Sequence, residues 1–361
     1  MPKNRILPVQ QQSFLAQLII RCNINPDKLV PMSPNCQTPI KKALKRVKLG
    51  QSEIEVSPIG AGTWQWGGSF YWGYGRSYTD VDLAKAFSAC ASGGINWFDT
   101  AEIYGRGRSE QILGKLIHGS QRDKNLSSDQ KIVATKFFPY PWRWQHHSFQ
   151  SALKGSLKRL GTQSVDLYQI HFPLRPRNFK YWVDALADAA EDGLIKAVGV
   201  SNFTSEQTKR THEILLDRGI QLASNQIGYS LLNRSPESNG VLEACRELGV
   251  SVISYGPLAE GLLTGKYGPR RPPPLPRRWR WAGRRLKVLP PLISLMKDIG
   301  SGHKSTPSQV ALNWLIKRDT LPIPGVKSAL QAADNAAAMH WDLTESEFDA
   351  LNRATVDFLP D

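Results

Sequence analysis

Asp99, Tyr104, Lys136 and His171 are the side-chain types that deliver a proton to a polarised oxygen. A phenol has an ordinary pKa of about 10 and is a weak acid at neutral pH. An ammonium beside it, here Lys136, favours the phenolate and lowers that value. Asp99 can pair with Lys136 and hold it charged and oriented, while His171 can hydrogen-bond the phenol and share its proton. Such a set protonates a carbonyl oxygen while a hydride reaches the carbon. Taken singly, each residue has an ordinary explanation. A strand-end Asp caps a helix, a Lys is a solvated charge, and a His is a satisfied core imidazole. The inference therefore depends on placement.

Short apolar runs recur between amphipathic segments from residue 59 onward and supply that placement. They span 59–62, 95–98, 132–135, 165–170, 197–200, 222–225, 252–255 and 321–323, which predicts eight strands. Helical patterns fill the intervals at 82–91, 110–117, 149–160, 182–191, 206–216, 240–248 and 307–317. Ser205 and Thr306 suit helix entry, the latter with Pro307 at the first helical position. Gly161 and Gly249 suit helix exit. Strict β-then-α alternation predicts an α/β fold, a closed (β/α)8 TIM barrel, over a doubly wound open sheet. An alternating stretch from Val47 to Val56, centred on Gly50, predicts a β-hairpin before it. In a barrel, functional residues gather at the C-terminal strand ends. Asp99 ends the second strand, Lys136 the third and His171 the fourth, with Tyr104 in the loop after the second.

The net charge of +15 suggests an anionic partner such as nucleic acid, but its distribution argues against one. Residues 1–48 hold nine Lys/Arg against Asp27 alone, and residues 270–287 hold seven Arg plus Lys287 with no acid. These two segments account for the whole excess and leave the body near neutral. We read them as a solvated tail and a basic loop, not a nucleic-acid groove. The run Arg277–Trp281 interleaves cations and aromatics, as single-strand binders do, but is one short stretch. Its parent segment, Lys266–Pro291, reads as a long loop after the seventh strand. Cys22, Cys36, Cys90 and Cys245 lack Cys-x-x-Cys spacing, and the seven histidines lack ligand spacing, so neither a disulfide framework nor a metal site is expected. No apolar run reaches the roughly 20 residues of a membrane helix. Residues 1–44, proline-rich and acid-poor, read as an N-terminal extension before a domain at 45–361. That extension is either a targeting segment or an over-long start, with Met32 as the alternative first residue.

The sequence also resembles the aldo-keto reductase family over residues 46–355. The matching segments are Phe98–Ala101, Tyr104–Gly105, Ala134–Lys136, Gly199–Phe203, Leu262–Tyr267 and Ile323–Gly325. The resemblance implies a (β/α)8 barrel with Asp99, Tyr104, Lys136 and His171 as a catalytic tetrad. It implies NADPH as cofactor, with Ser201, Asn202 and Gln226 at the nicotinamide carboxamide and Tyr255 stacked on the ring. Gly256, Leu258 and Gly325 would line its path. Lys327 and Ser328 would meet the 2′-phosphate, with Gln331, and Asp334 and Asn335 would lie near the adenine. Two departures stand out. Gln331 replaces an arginine common in the family, which weakens strict NADPH preference, and Gly256 replaces a serine. Near misses to nucleotide motifs at Gly60–Gln65, Gly105–Glu110 and Gly261–Tyr267 lack required residues and are rejected.

Trp64, Trp66, Tyr71, Trp72 and Trp142 follow the first and third strands and are candidate pocket walls for a flat or apolar carbonyl compound. Segments Gly62–Trp66, Tyr140–Arg143 and Ile323–Ser328 resemble a branch found in photosynthetic organisms that includes a plant pyridoxal reductase. Pyridoxal is the first aldehyde this implies. The expected function is thus NADPH-dependent reduction of an aldehyde or ketone. The alternative is a cofactor-binding, redox-sensing relative with little turnover. The expected compartment is the cytoplasm in a bacterium, or the plastid stroma in a photosynthetic eukaryote. No sequence feature fixes an oligomeric state.

Overall fold

The computed structural model describes residues 44–120, 131–174, 178–268, 271–275 and 284–358. The readings of residues 1–43, including Met32, and of Arg277–Trp281 lie outside these residues.

Strands β1 (Val47–Lys48) and β2 (Glu55–Val56) form the expected antiparallel hairpin. Eight parallel strands follow, each hydrogen-bonded to the next in chain order. They are β3 (Ala61–Gly62), β4 (Trp97–Asp99), β5 (Ile132–Phe137) and β6 (Val165–Ile170), then β7 (Ile195–Ser201), β8 (Leu222–Gly228), β9 (Ser251–Tyr255) and β10 (Thr320–Pro322). The last strand closes on the first. Gly60 N–H donates to the Pro322 carbonyl and Gly62 N–H to that of Pro324, each at 3.0 Å. The result is a (β/α)8 barrel. All eight strands stand where the apolar runs predict them.

Parallel strands need both faces covered, and the pleat assigns the faces. On β5, Phe137 turns outward between helices α4 (His146–Leu160) and α5 (Phe179–Glu191). There its ring lies 4.8 Å from Phe149 and 4.9 Å from Trp182. Burying each such aromatic contributes about 2–3 kcal/mol. Its neighbour Lys136 must then point into the barrel. At the N-terminal end, Leu49 and Val56 of the hairpin pack with Trp97, Ile132, Leu167, Ile253 and Leu321 as an apolar floor. Charge inside the barrel is thereby restricted to the other end.

Helices α1 (Ser69–Trp72), α2 (Asp80–Ser92), α3 (Arg108–Ser120), α6 (Ser205–Leu216) and α7 (Val241–Glu247) accompany these strands. Three corrections concern helices. Helix α6 is capped by Thr204, not Ser205: the Thr204 hydroxyl accepts from Gln207 N–H in a capping box. The span 266–291 is not loop throughout, because α8 (Arg284–Gly302) runs through Pro290 and Pro291. Both prolines face solvent, while Leu289, Leu292, Ile293, Met296 and Ile299 are buried at helical spacing. After α9 (Pro307–Lys317), two further helices, α10 (Ala329–Ala337) and α11 (Glu345–Ala354), were not anticipated.

One glycine is fixed by close approach. A Cβ on Gly199 of β7 would sit 2.5 Å from the Ser224 hydroxyl and 2.9 Å from Gln169 Cγ. The β7–β8 register shifts at this point, which sets the height of Ser201 and Asn202 at the strand end. Gly199→Ala is expected to cost about 1–3 kcal/mol through overpacking. Urea unfolding measures the loss, and Ser224→Ala in the same chain should recover part of it.

Candidate active site

The C-terminal mouth of the barrel holds a cavity of about 590 Å³, within the usual range for small-molecule sites. At its base the Lys136 ammonium lies 2.5 Å from Asp99 Oδ1, and both side chains are almost wholly buried. Lys136 also donates to the Thr100 carbonyl at 2.8 Å. The other Asp99 oxygen accepts from Gln226 Nε2 at 2.8 Å and Gln169 Nε2 at 3.3 Å. A buried ion pair persists only when its remaining hydrogen-bonding capacity is met in this way.

Above the pair stands Tyr104, its ring centroid 5.2 Å from the Lys136 ammonium. The His171 ring meets it edge to face at 5.8 Å. Burial pushes the Tyr104 phenol well above its ordinary value, and the Asp99 carboxylate adds to the rise. This corrects the expectation that Lys136 lowers it. The Asp99 carboxylate opposes the Lys136 ammonium at the phenol, so desolvation of the phenolate dominates. Burial also pulls Lys136 down, with Asp99 opposing, and it holds His171 well below the ordinary imidazole value, with Lys136 adding to that drop. The site therefore presents a protonated phenol and a neutral imidazole. Its chemistry is donation of a proton to a basic oxygen.

The cavity extends past Ser201, Asn202, Tyr255, Gly256 and Leu258 to Gly325, Lys327, Gln331, Asp334 and Asn335, all of which line it. Asn202 adopts φ +62°, which turns its amide back so that Nδ2 reaches the His171 carbonyl at 3.1 Å. Tyr255 donates to Asn202 Oδ1 at 2.9 Å. Among the lining residues, His171 Nδ1, Gln65 Oε1 and Asn335 Nδ2 are buried polar atoms with no hydrogen-bond partner. A long cleft with unmet polar atoms at both ends suits an elongated polar ligand such as a dinucleotide.

Four residues expected at the cavity wall stand elsewhere. Gln226 spends its amide on Asp99, beneath the cavity. Ser328 caps α10 by accepting from Gln331 N–H. Trp66 is fully buried, with its indole N–H on the Val326 carbonyl at 2.8 Å. Trp142 is 70% exposed and stacks on Tyr140 at 4.6 Å. Trp64, Tyr71 and Trp72 do line the cavity as one cluster, Trp64 stacking on Tyr71 at 5.5 Å. Sequence reasoning missed Gln65, Phe138, Phe172 and Lys266, which also line it. Phe138 and Phe172 each sit one or two residues beyond a catalytic-type strand end, which was the available signal. Among the described residues no cluster of His, Cys, Asp or Glu could hold a metal ion, and no helix is long and apolar enough to cross a membrane.

Comparison with known proteins agrees with this geometry. Residues 58–355 match the model of the Aldo/keto reductase family. A chloroplastic pyridoxal reductase of Arabidopsis thaliana is 39% identical over 338 residues, covering 91% of this chain and 90% of that protein. An aldo/keto reductase from Klebsiella pneumoniae, solved with NADP and acetate, superposes with a TM-score of 0.68 at 25% identity, covering 88% of this chain and 97% of that one. A glycerol dehydrogenase from Gluconobacter oxydans shares the fold with a TM-score of 0.75 at 23% identity, covering 89% and 98%.

The electrostatics give a direct expectation. In the ligand-free protein, Tyr104 stays a phenol beyond pH 10, and His171 stays neutral well below pH 6.5. Nitrogen NMR of His171, and difference absorbance between wild type and Tyr104→Phe, measure the two. An imidazolium at pH 6 or a phenolate at pH 8 would contradict the arrangement.

Proposed function

This chain belongs to the aldo/keto reductase family, and on that premise we propose that it uses NADPH to reduce a flat aldehyde or ketone to an alcohol, with Tyr104 as general acid. The observation that carries this reading is the protonated Tyr104 phenol held above the buried Lys136–Asp99 pair at the foot of an aromatic-walled cavity. The cofactor, when bound, supplies the hydride. Everything else falls to the chain itself.

Tyr104 donates its proton to the substrate oxygen, and the phenolate that forms is stabilised by the Lys136 ammonium 5.2 Å from the ring. The same burial that makes the free phenol a weak acid excludes competing water and strengthens that interaction as charge develops. Neutral His171 steers the substrate oxygen and the phenol through its ring edge. Ser201, Asn202 and Tyr255 would hold the nicotinamide, Lys266 the phosphate bridge, and Lys327 with Gln331 the 2′-phosphate end. Gln331 Oε1 accepts from Lys327 N–H at 3.0 Å, so the residue replacing the family's arginine orders this turn instead of adding charge. Among the described residues at this end of the cavity, Lys327 supplies the positive charge that favours NADPH.

Trp64, Tyr71, Phe138 and Phe172 wall the substrate end with ring faces and edges, which favours a planar aromatic aldehyde. Pyridoxal is planar and aromatic, and the Arabidopsis relative that covers most of this chain is named for reducing it. We therefore propose pyridoxal as the first physiological substrate to test.

The test is oxidation of NADPH by pyridoxal and by 4-nitrobenzaldehyde. Tyr104→Phe is expected to lower kcat by roughly 100- to 10,000-fold while cofactor affinity is kept. Lys327→Met is expected to weaken NADPH binding about tenfold, or ~1.4 kcal/mol, and leave NADH binding unchanged. A cofactor-bound wild type that reduces no aldehyde would overturn the proposal.

A further inference from the structure

We propose that Glu102 and Arg143 form a positioning clamp that fixes the Tyr104 ring beside the Lys136 ammonium and, through the same carboxylate, sets Phe138 in the substrate wall. The proposal rests on the reductase reading of the site and adds to it two residues that touch neither substrate nor cofactor.

The backbone around Tyr104 needs an external hold. Gly105, Arg106 and Gly107 follow it with φ of +56°, +56° and +86°. Positive φ at a non-glycine such as Arg106 is strained and persists only when its surroundings over-determine it. Downstream, the chain is secured where the Ser109 hydroxyl joins those of Thr63 and Thr100 and the Thr63 carbonyl. Upstream, the main chain of Glu102 reaches β5 only by a long 3.4 Å contact to the Lys136 carbonyl. The side chain makes the firm connection.

Glu102 Oε1 accepts from Phe138 N–H at 2.7 Å and from Arg143 Nη1 at 2.5 Å, while Oε2 accepts from Arg143 Nη2 at 2.9 Å. Arg143 also donates to the Phe138 carbonyl at 2.7 Å. Its guanidinium lies 4.9 Å from the Phe137 ring centroid and 5.1 Å from that of Tyr140. The Glu102 side chain is 8% exposed and that of Arg143 18%. This is a two-pronged, charge-assisted pair in a nearly dry setting, unlike a solvated surface bridge. Glu102 thereby joins the loop after β4, two residues before the proton donor, to the loop after β5, at Phe138 two residues and at Arg143 seven residues past Lys136. Phe138 is held through both its N–H and its carbonyl.

A displacement of about 1 Å at a reacting group can cost 100-fold in rate, which sets the expected effect of losing the clamp. The experiment compares wild type with Glu102→Gln, Arg143→Met and the double variant. Each is assayed for kcat on an aromatic aldehyde, NADPH dissociation constant, unfolding midpoint and amide exchange of residues 100–107.

Each single variant leaves a charge or its partner unmatched and should lose both stability and kcat. The double variant removes both charges and should regain most of the stability. Its kcat should nevertheless stay roughly 10- to 100-fold down, with the NADPH constant unchanged and residues 100–107 exchanging faster. Return of kcat along with stability would make the pair merely structural and overturn the proposal, as would wild-type kcat in Glu102→Gln. A wild type that binds NADPH but reduces nothing would refute the reductase reading instead. The exchange of residues 100–107 would still decide the clamp: protection equal to wild type in the double variant overturns it.

Discussion

A lysine ammonium buried inside a protein needs a counter-charge and a complete set of acceptors, and the mouth of this barrel is arranged around that need. Lys136 is fully buried and lies 2.5 Å from Asp99. Gln169 from β6 and Gln226 from β8 satisfy the second Asp99 oxygen. Four strands, β4, β5, β6 and β8, thus each contribute one polar side chain to a cluster that has to stay in register. The apolar floor beneath restricts charge to the C-terminal end. The result is a site whose electrostatics are set before any ligand arrives, which is the condition for stabilising charge without reorganisation.

That pairing also governs the proton donor. An isolated lysine beside a tyrosine would lower the phenol's pKa, but with Asp99 opposing it the Lys136 ammonium offsets only part of the desolvation, which sets the direction. Tyr104 is consequently a reluctant acid in the free protein. Its proton becomes useful only when a substrate oxygen gains negative charge close by. The strained turn after Tyr104 and the Glu102–Arg143 pair before it serve the same end, because a weak acid must be placed closely to act.

Much of this was legible in the sequence. The eight apolar runs, their spacing and the strand-end positions of Asp99, Lys136 and His171 follow from patterns that depend only on burial and chain direction. What was not legible depended on direction within an element or on contacts distant in sequence. Trp64 and Trp66 are two residues apart in the same loop, yet one lines the cavity and the other donates to the Val326 carbonyl in the core. Gln226 faces Asp99, a partner 127 residues away in sequence, and not the cavity. Pro290 and Pro291 masked α8, although the buried residues around them keep helical spacing. Glu102 and Arg143 are 41 residues apart and carry no local signature.

The most direct measurement is the rate of a single turnover, enzyme pre-mixed with NADPH and an aromatic aldehyde, followed from pH 6.5 to pH 10. The donor acts when protonated, so its contribution is lost only as pH rises through the Tyr104 pKa, which burial holds well above 10. His171 acts when neutral, and its pKa lies well below 6.5. The account predicts a flat rate across this window. A rate that falls with an apparent pKa near 7 or 8 would contradict it, because a group other than a buried phenol would then be supplying the proton.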